Sequence, residues 1–224
     1  MMKAKELLPK RTADSNKGTY GKLLIIAGKK ECAGCAILSS LAALRSGLGM
    51  VKVVSPNSNF TAVMNTVPEA LFSSDTDDAS IRDDIAWADA VLIGPGIGTG
   101  NRAKRLVNLV LSSRDIPVVI DADGINVIAL NDQLKKALKK KAESDEVVIT
   151  PHLMEMSRLC GLPVPEIKKQ MKEIAAKISD EYGVTTALKD AATVTSSPEG
   201  EIVVNTTGNN GMSTAGSGDV LAGV

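Results

Sequence analysis

An α/β fold is predicted, with a mostly parallel central sheet, helices on both faces and antiparallel edge strands near the C-terminus. Three features of the sequence point to it. Short β-branched and aliphatic runs alternate with longer amphipathic ones from about residue 22 to about residue 190. The short runs are apolar at consecutive positions, as strands covered on both faces require. Beyond them the helical stretches stop, and short strand-like segments follow one another through turn residues.

In chain order, "KLLIIAG" (22–28) is a strand, "CAILSSLAALRSG" (35–47) the helix after it and "MVKVVSP" (50–56) the next strand. The alternation returns in the strand "ADAVLIGPG" (88–96), the helix "NRAKRLVNLVLSS" (101–113) and the strand "IPVVIDADG" (116–124). A further strand, "DEVVITPH" (145–152), precedes one long helical segment, "PVPEIKKQMKEIAAKISDEYG" (163–183). "TTALKD", "ATVTSSPEG" and "EIVVNTTG" are the edge strands, with "SPEG" as the turn between the last two. Parallel strands linked by helices form a sheet covered by helices. The carboxyl ends of its strands, "AGKKECAG", "GPGIGTG", "DADGIN" and "TPHLME", are where such a sheet binds ligands.

A chain of 224 residues can bury a substantial core and is read as a single domain spanning 1–224. Lys+Arg and Asp+Glu both number 26, so no net field draws the protein to nucleic acid or an acidic membrane. An aromatic content of 2% removes the stacking platforms of single-strand binders. The polar start lacks a signal-peptide core, and no apolar run approaches the roughly 18–20 residues that span a bilayer, so a cytoplasmic protein is expected. Three cysteines, an odd and sparse set, do not make a disulfide scaffold.

Five motifs carry candidate chemistry. "GPGIGTG" (94–100) leaves a strand and enters a helix, as a tight turn needing positive φ or as a binding loop. Its spacing is neither G-x-G-x-x-G nor a P-loop. In "VVIDADGIN", Asp121 and Asp123 are two apart; on extended chain they project to one side and suit Mg²⁺ held through water or a substrate hydroxyl, unless Asp123 caps the next helix. His152, the sole histidine, follows Pro151 at a strand end, with Glu155 placed to orient it; a hydrogen-bonded structural role competes with a site role, and no zinc set is present. Cys32 and Cys35 form a Cys-x-x-Cys at a helix start, where thiol pKa values fall, or else supply small residues for ligand approach. In "AGSGDVLAGV", Gly216, Ser217 and Gly218 can turn backbone N–H groups toward a phosphoryl group. Asp219 beside them can take a proton from an attacking hydroxyl, or serve as a cap.

Taken together these motifs resemble the ribokinase-like superfamily, and within it the ADP-dependent NAD(P)H-hydrate dehydratases. The resemblance runs from "KGTYGKLLIIAG" through "GCAILSSLAALRSGLGMVKVVSP", "GPGIG", "DADGIN" and "TPHLMEM" to "NTTGNNGMSTAGSGDVLAG". It implies that ADP phosphorylates the hydroxyl that water added to the nicotinamide ring, and that loss of phosphate restores NADH or NADPH. Asp219 is then the base, and Gly216, Ser217 and Gly218 hold the moving group. Gly34, Cys35, Ala36, Gly96, Asp121 and His152 match the hydrate side. Lys189, Asp190, Ala191, Ala192, Thr193, Asn209, Gly211, Met212 and Gly218 match the nucleotide side. The resemblance also implies use of Mg²⁺, for which the sequence offers no dedicated cage, and a homotetramer.

Three positions depart from the family pattern. "KDAAT" replaces Lys-Gly-x-x-Thr, which puts Asp190 where phosphates approach and implies weaker ADP binding. "GCA" and "STAG" replace Gly-Ala-Ala and Ala-Thr-Gly-Gly and keep the side chains small. The family continues for several helices beyond the Gly-Asp motif, so the chain is expected to lack the last of them. NADH and NADPH hydrates, and ADP and ATP as donors, are equally compatible with the motifs. A small-molecule kinase of the same superfamily, a non-catalytic nucleotide-binding protein and a thiol oxidoreductase at Cys32 and Cys35 are the competing readings.

Overall fold

Alternating side chains of the first strand already divide the interior in two. In β1 (Lys22–Ile26), Leu24 and Ile26 pack into one apolar cluster and Ile25 into another, so both faces of the strand are buried. The computed structural model describes residues 10–224; of the polar start, residues 1–9 lie outside the described residues. After β1 come α1 (Gly34–Arg45), β2 (Met50–Ser55), α2 (Phe60–Thr66), β3 (Leu71–Ser74), α3 (Asp78–Trp87) and β4 (Ala90–Ile93). The middle of the chain forms α4 (Asn101–Leu111), β5 (Val118–Ile120), α5 (Asp123–Ala129), α6 (Asp132–Ala142) and β6 (Val147–Ile149). Then follow α7 (Leu153–Cys160), α8 (Val164–Lys169), α9 (Met171–Tyr182), β7 (Thr185–Leu188), β8 (Thr193–Ser196), β9 (Ile202–Asn205) and α10 (Ser217–Gly223).

The nine strands form one sheet in the order β3-β2-β1-β4-β5-β6-β7-β8-β9. Pairing is parallel from β3 through β7, and antiparallel for β7–β8 and β8–β9. This bears out the predicted fold class, including the edge strands near the C-terminus. The "SPEG" turn closes with Gly200 N donating to Ser197 O at 3.1 Å. The larger cluster lies under α3 to α9 and the smaller under α1, α2 and α10.

Several elements depart from the sequence reading. The long helix expected over 163–183 divides at Gln170, whose φ of −139° ends α8 before α9 begins. β3 and helices α2, α3, α6 and α7 add to the predicted set. The strand order reverses direction between β1 and β4. Chain segments leaving these two strands diverge to opposite sides, which opens a crevice at their carboxyl ends.

Candidate active site

The loops that leave β1 and β4 meet across this crevice. Gly28 N donates to Pro95 O at 2.8 Å, and buried Asn59 donates from Nδ2 to Lys29 O at 3.0 Å and to Cys32 O at 3.4 Å. Gly94, Gly96 and Gly98 all take positive φ, so "GPGIGTG" is a tight turn. A Cβ on Gly96 would lie 2.5 Å from Cys35 Sγ, so only glycine lets this loop press against the start of α1. Gly96 and Cys35 therefore meet at one wall, with Gly34 and Ala36 flanking Cys35 in the first turn of α1 and Ala36 fully buried.

The redox reading of Cys32 and Cys35 is corrected here. Burial pushes the Cys35 thiol up to about 12, with the charges of Cys32 and Asp219 adding to the effect. Such a thiol is protonated at neutral pH and is a poor nucleophile. Both cysteines are free.

Asp121 and Asp123 do not act together. Ala122 between them has φ 49° and ψ −119°, which breaks the extended geometry on which a shared face depends. Asp121, buried, accepts from Thr150 Oγ1 at 2.6 Å and from Lys189 Nζ at 2.6 Å. Asp123 turns away, neither pairing with Asp121 nor capping α5, and accepts from Gly98 N at 2.8 Å. Among the described residues no three His, Cys, Asp or Glu side chains gather into a metal cage.

His152 is engaged locally. Its Nδ1 accepts from Met154 N and Glu155 N, each at 3.1 Å, and its Nε2 lies 3.0 Å from Glu155 Oε1. Glu155 Oε2 accepts from His152 N at 2.8 Å and completes the cap of α7. Glu155 does orient the ring, but both ring nitrogens are occupied by its own helix, so the ring itself, half exposed, is what remains to meet a ligand. A backbone bridge places His152 beside Lys189.

Helix α10 brings in the acid. It rests on α1, where Ser39 Oγ donates to Asp219 O at 2.9 Å and a Cβ on Gly223 would collide with the Ser39 backbone. Gly216, with φ 90°, is the N-cap, so Asp219 is in the first turn and is not the cap. Ser217 Oγ donates to Met212 O at 2.7 Å and to Thr214 O at 3.1 Å, securing the turn before the helix. Ser217 N donates to Thr214 O at 3.4 Å, and among the described residues no hydrogen bond takes up the amides of Gly218 and Asp219. Burial raises the Asp219 carboxyl above its ordinary value, the negative charge of Asp121 raises it further, and Lys189 partly offsets both. The chemistry therefore gathers around Asp219, Lys189, Asp121 and the Cys35–Gly96 wall.

On the far side of Asp219 lies a cavity of about 570 Å³. Lys189, Asp190, Ala191, Thr193, Asn209, Met212, Ser217 and Gly218 line it, whereas Ala192 and Gly211 do not. Asp190 is not a bare charge there, because its Oδ2 lies 3.4 Å from Lys168 Nζ. Sequence reasoning missed Lys168 and Arg102, which reach the site from distant parts of the chain and carry no motif, and it passed over Thr150 inside "TPHLME", whose hydroxyl donates to Asp121. It also missed Asn205, on β9, whose strand reaches the cavity.

The profile of the NAD(P)H-hydrate dehydratase family matches residues 23–224. The ADP-dependent (S)-NAD(P)H-hydrate dehydratase of Bacillus subtilis is 34% identical over 97% of this chain and 75% of its own length. A bifunctional NAD(P)H-hydrate repair enzyme of Moorella thermoacetica is 35% identical over 97% of this chain. The chain spans only 42% of that enzyme's length. The crystal structure of the Bacillus subtilis ADP/ATP-dependent NAD(P)H-hydrate dehydratase, co-crystallised with ATP and Mg²⁺, superposes with a TM-score of 0.80 at 31% identity, covering 96% of this chain and 74% of that one. A ribokinase-like protein of Enterococcus faecalis gives a TM-score of 0.83 at 29% identity, covering 96% of this chain and 73% of that one. With this crevice, first-turn carboxylate and adjoining cavity, and a family profile matched over residues 23–224, the chain belongs to the NAD(P)H-hydrate dehydratase family.

Proposed function

We propose that the protein dehydrates the hydrates of NADH and NADPH with ADP as phosphoryl donor. One observation carries this reading: Asp219, a carboxyl held above its ordinary range by burial, stands between the Cys35–Gly96 wall and the cavity lined by Lys189 and Gly218. An acid so tuned is a better base for a hydroxyl proton than an ordinary carboxylate. It takes the proton of the ring hydroxyl as that oxygen attacks the β-phosphorus of ADP, and AMP leaves. The first-turn amides of α10 and Lys189 stabilise the charge on the moving group. The ring nitrogen then expels phosphate, a proton leaves the adjacent carbon, and the double bond returns.

ADP suits the cavity by its volume and by Lys189 at the end nearest Asp219. Mg²⁺ would accompany the phosphates and neutralise part of their charge; Asp121 is already committed to Lys189 and Thr150. The reading includes a homotetramer, supported by the exposed Ile202, Val203 and Val204 along the sheet-edge strand β9, and a cytoplasmic site of action. It also takes residues 1–224 as one domain.

The test is recovery of NADH absorbance from purified NADH hydrate, ADP and Mg²⁺, with AMP and phosphate released one for one. Formation of a stable phosphoester in place of NADH would identify a kinase instead.

A further inference from the structure

Arg102, in the first turn of α4, reaches three separate segments with one guanidinium. Its Nη2 donates to Gly28 O at 3.1 Å, its Nη1 to Ile97 O at 3.2 Å, and its Nε pairs with the buried Asp75 carboxylate beyond β3. Gly28 ends the β1 segment and Ile97 lies in the β4 loop, so two of these contacts fasten the two lips of the crevice. The peptide between Ile97 and Gly98 is held at both ends, its oxygen by Arg102 and its N–H by Asp123 Oδ2 at 2.8 Å. Pro95 O accepts from Gly28 N and Ile97 N donates to Gly94 O at 3.3 Å. Among the described residues no protein hydrogen bond engages the N–H or C=O of Gly96, which is also less buried than its neighbours Pro95 and Ile97.

We propose that Arg102 is a positioning residue for the substrate side of the site. It fixes the loops after β1 and β4 so that the Gly96 peptide groups are left to face the nicotinamide end of the hydrate. A carboxamide, with one acceptor and two donors, is the chemistry that such an unpaired N–H and C=O recognise. This rests on the crevice being the hydrate site. Lysine cannot replace arginine here, because a single ammonium has no planar fork with which to meet three acceptors at fixed angles. Asp75 supplies the anchor: buried, it requires the cation and holds the guanidinium in place.

Arg102→Lys and Asp75→Asn are compared with the parent by amide hydrogen exchange and by steady-state kinetics. Exchange at Gly28 and Gly98 is expected to accelerate roughly tenfold in Arg102→Lys, while α9 keeps its parent protection. KM for the hydrate is expected to rise roughly tenfold with KM for ADP unchanged, since misplaced loops weaken one ligand only. Asp75→Asn, which keeps the guanidinium but loosens its anchor, should move both readouts in the same direction by less. Unchanged loop exchange overturns the clamp, and an equal rise in both KM values overturns its substrate-side role. A parent protein that turns over no hydrate overturns the dehydratase reading and the carboxamide assignment with it, while the exchange result still decides whether Arg102 fastens the loops.

Discussion

Asp219 illustrates what one residue contributes and what it costs. Its carboxyl is raised by burial and by Asp121, so the folded protein binds that proton more tightly than the unfolded chain does. Native stability is therefore fully present below the ordinary Asp pKa and falls as pH rises toward the raised one. Asp219→Asn should melt at a higher temperature than the parent at neutral pH, yet lose roughly 10²–10⁴-fold in turnover. Scanning calorimetry beside the NADH assay checks both, and a variant of unchanged rate would remove the base assignment. Asp121→Asn removes a negative charge that pushes Asp219 upward and leaves Lys189 to pull it down. The acidic limb of the kcat/KM profile should then move to lower pH; a move to higher pH contradicts the arrangement. Asp219 and its glycines were legible in the sequence because the motif is local. The Lys189–Asp121 contact was not, since its partners are 68 residues apart and meet only when β5, β6 and β7 align. The idea that Asp121 and Asp123 share a face failed for a local reason, the turned backbone at Ala122, which no spacing rule reveals.

Among elements, the placement of α10 on α1 matters most, because it carries Asp219 to the crevice. Gly223 lies so close to the Ser39 backbone that any side chain must lift the helix. Gly223→Val is expected to lower stability by about 1–3 kcal/mol, as overpacking does. It should also lower kcat well beyond what a partly unfolded population explains, which urea titration and kinetics on the same preparation separate. The strands that alternate with amphipathic helices were readable because their apolar runs are continuous or periodic. β3 was not: "LFSS" offers two apolar residues, and its Leu71 is exposed at the sheet edge. The division between α8 and α9 was equally hidden, because the residues around Gln170 are good helix formers and only the packed structure turns the chain there.

At the scale of the whole molecule, one sheet places two ligand regions at the same end. Reversal of strand order between β1 and β4 opens the crevice proposed for the hydrate, and the antiparallel edge strands β8 and β9 contribute Thr193 and Asn205 to the cavity proposed for the nucleotide. Asp219 stands where they meet, so the architecture predicts direct transfer of a phosphoryl group from one ligand to the other. The most direct measurement follows an oxygen atom. With NADH hydrate labelled with ¹⁸O at the ring hydroxyl, phosphorylation followed by elimination breaks the carbon–oxygen bond, and the label must leave in inorganic phosphate. Phosphate carrying one ¹⁸O per NADH formed is the predicted result. Unlabelled phosphate, with the ¹⁸O released into water, would contradict it.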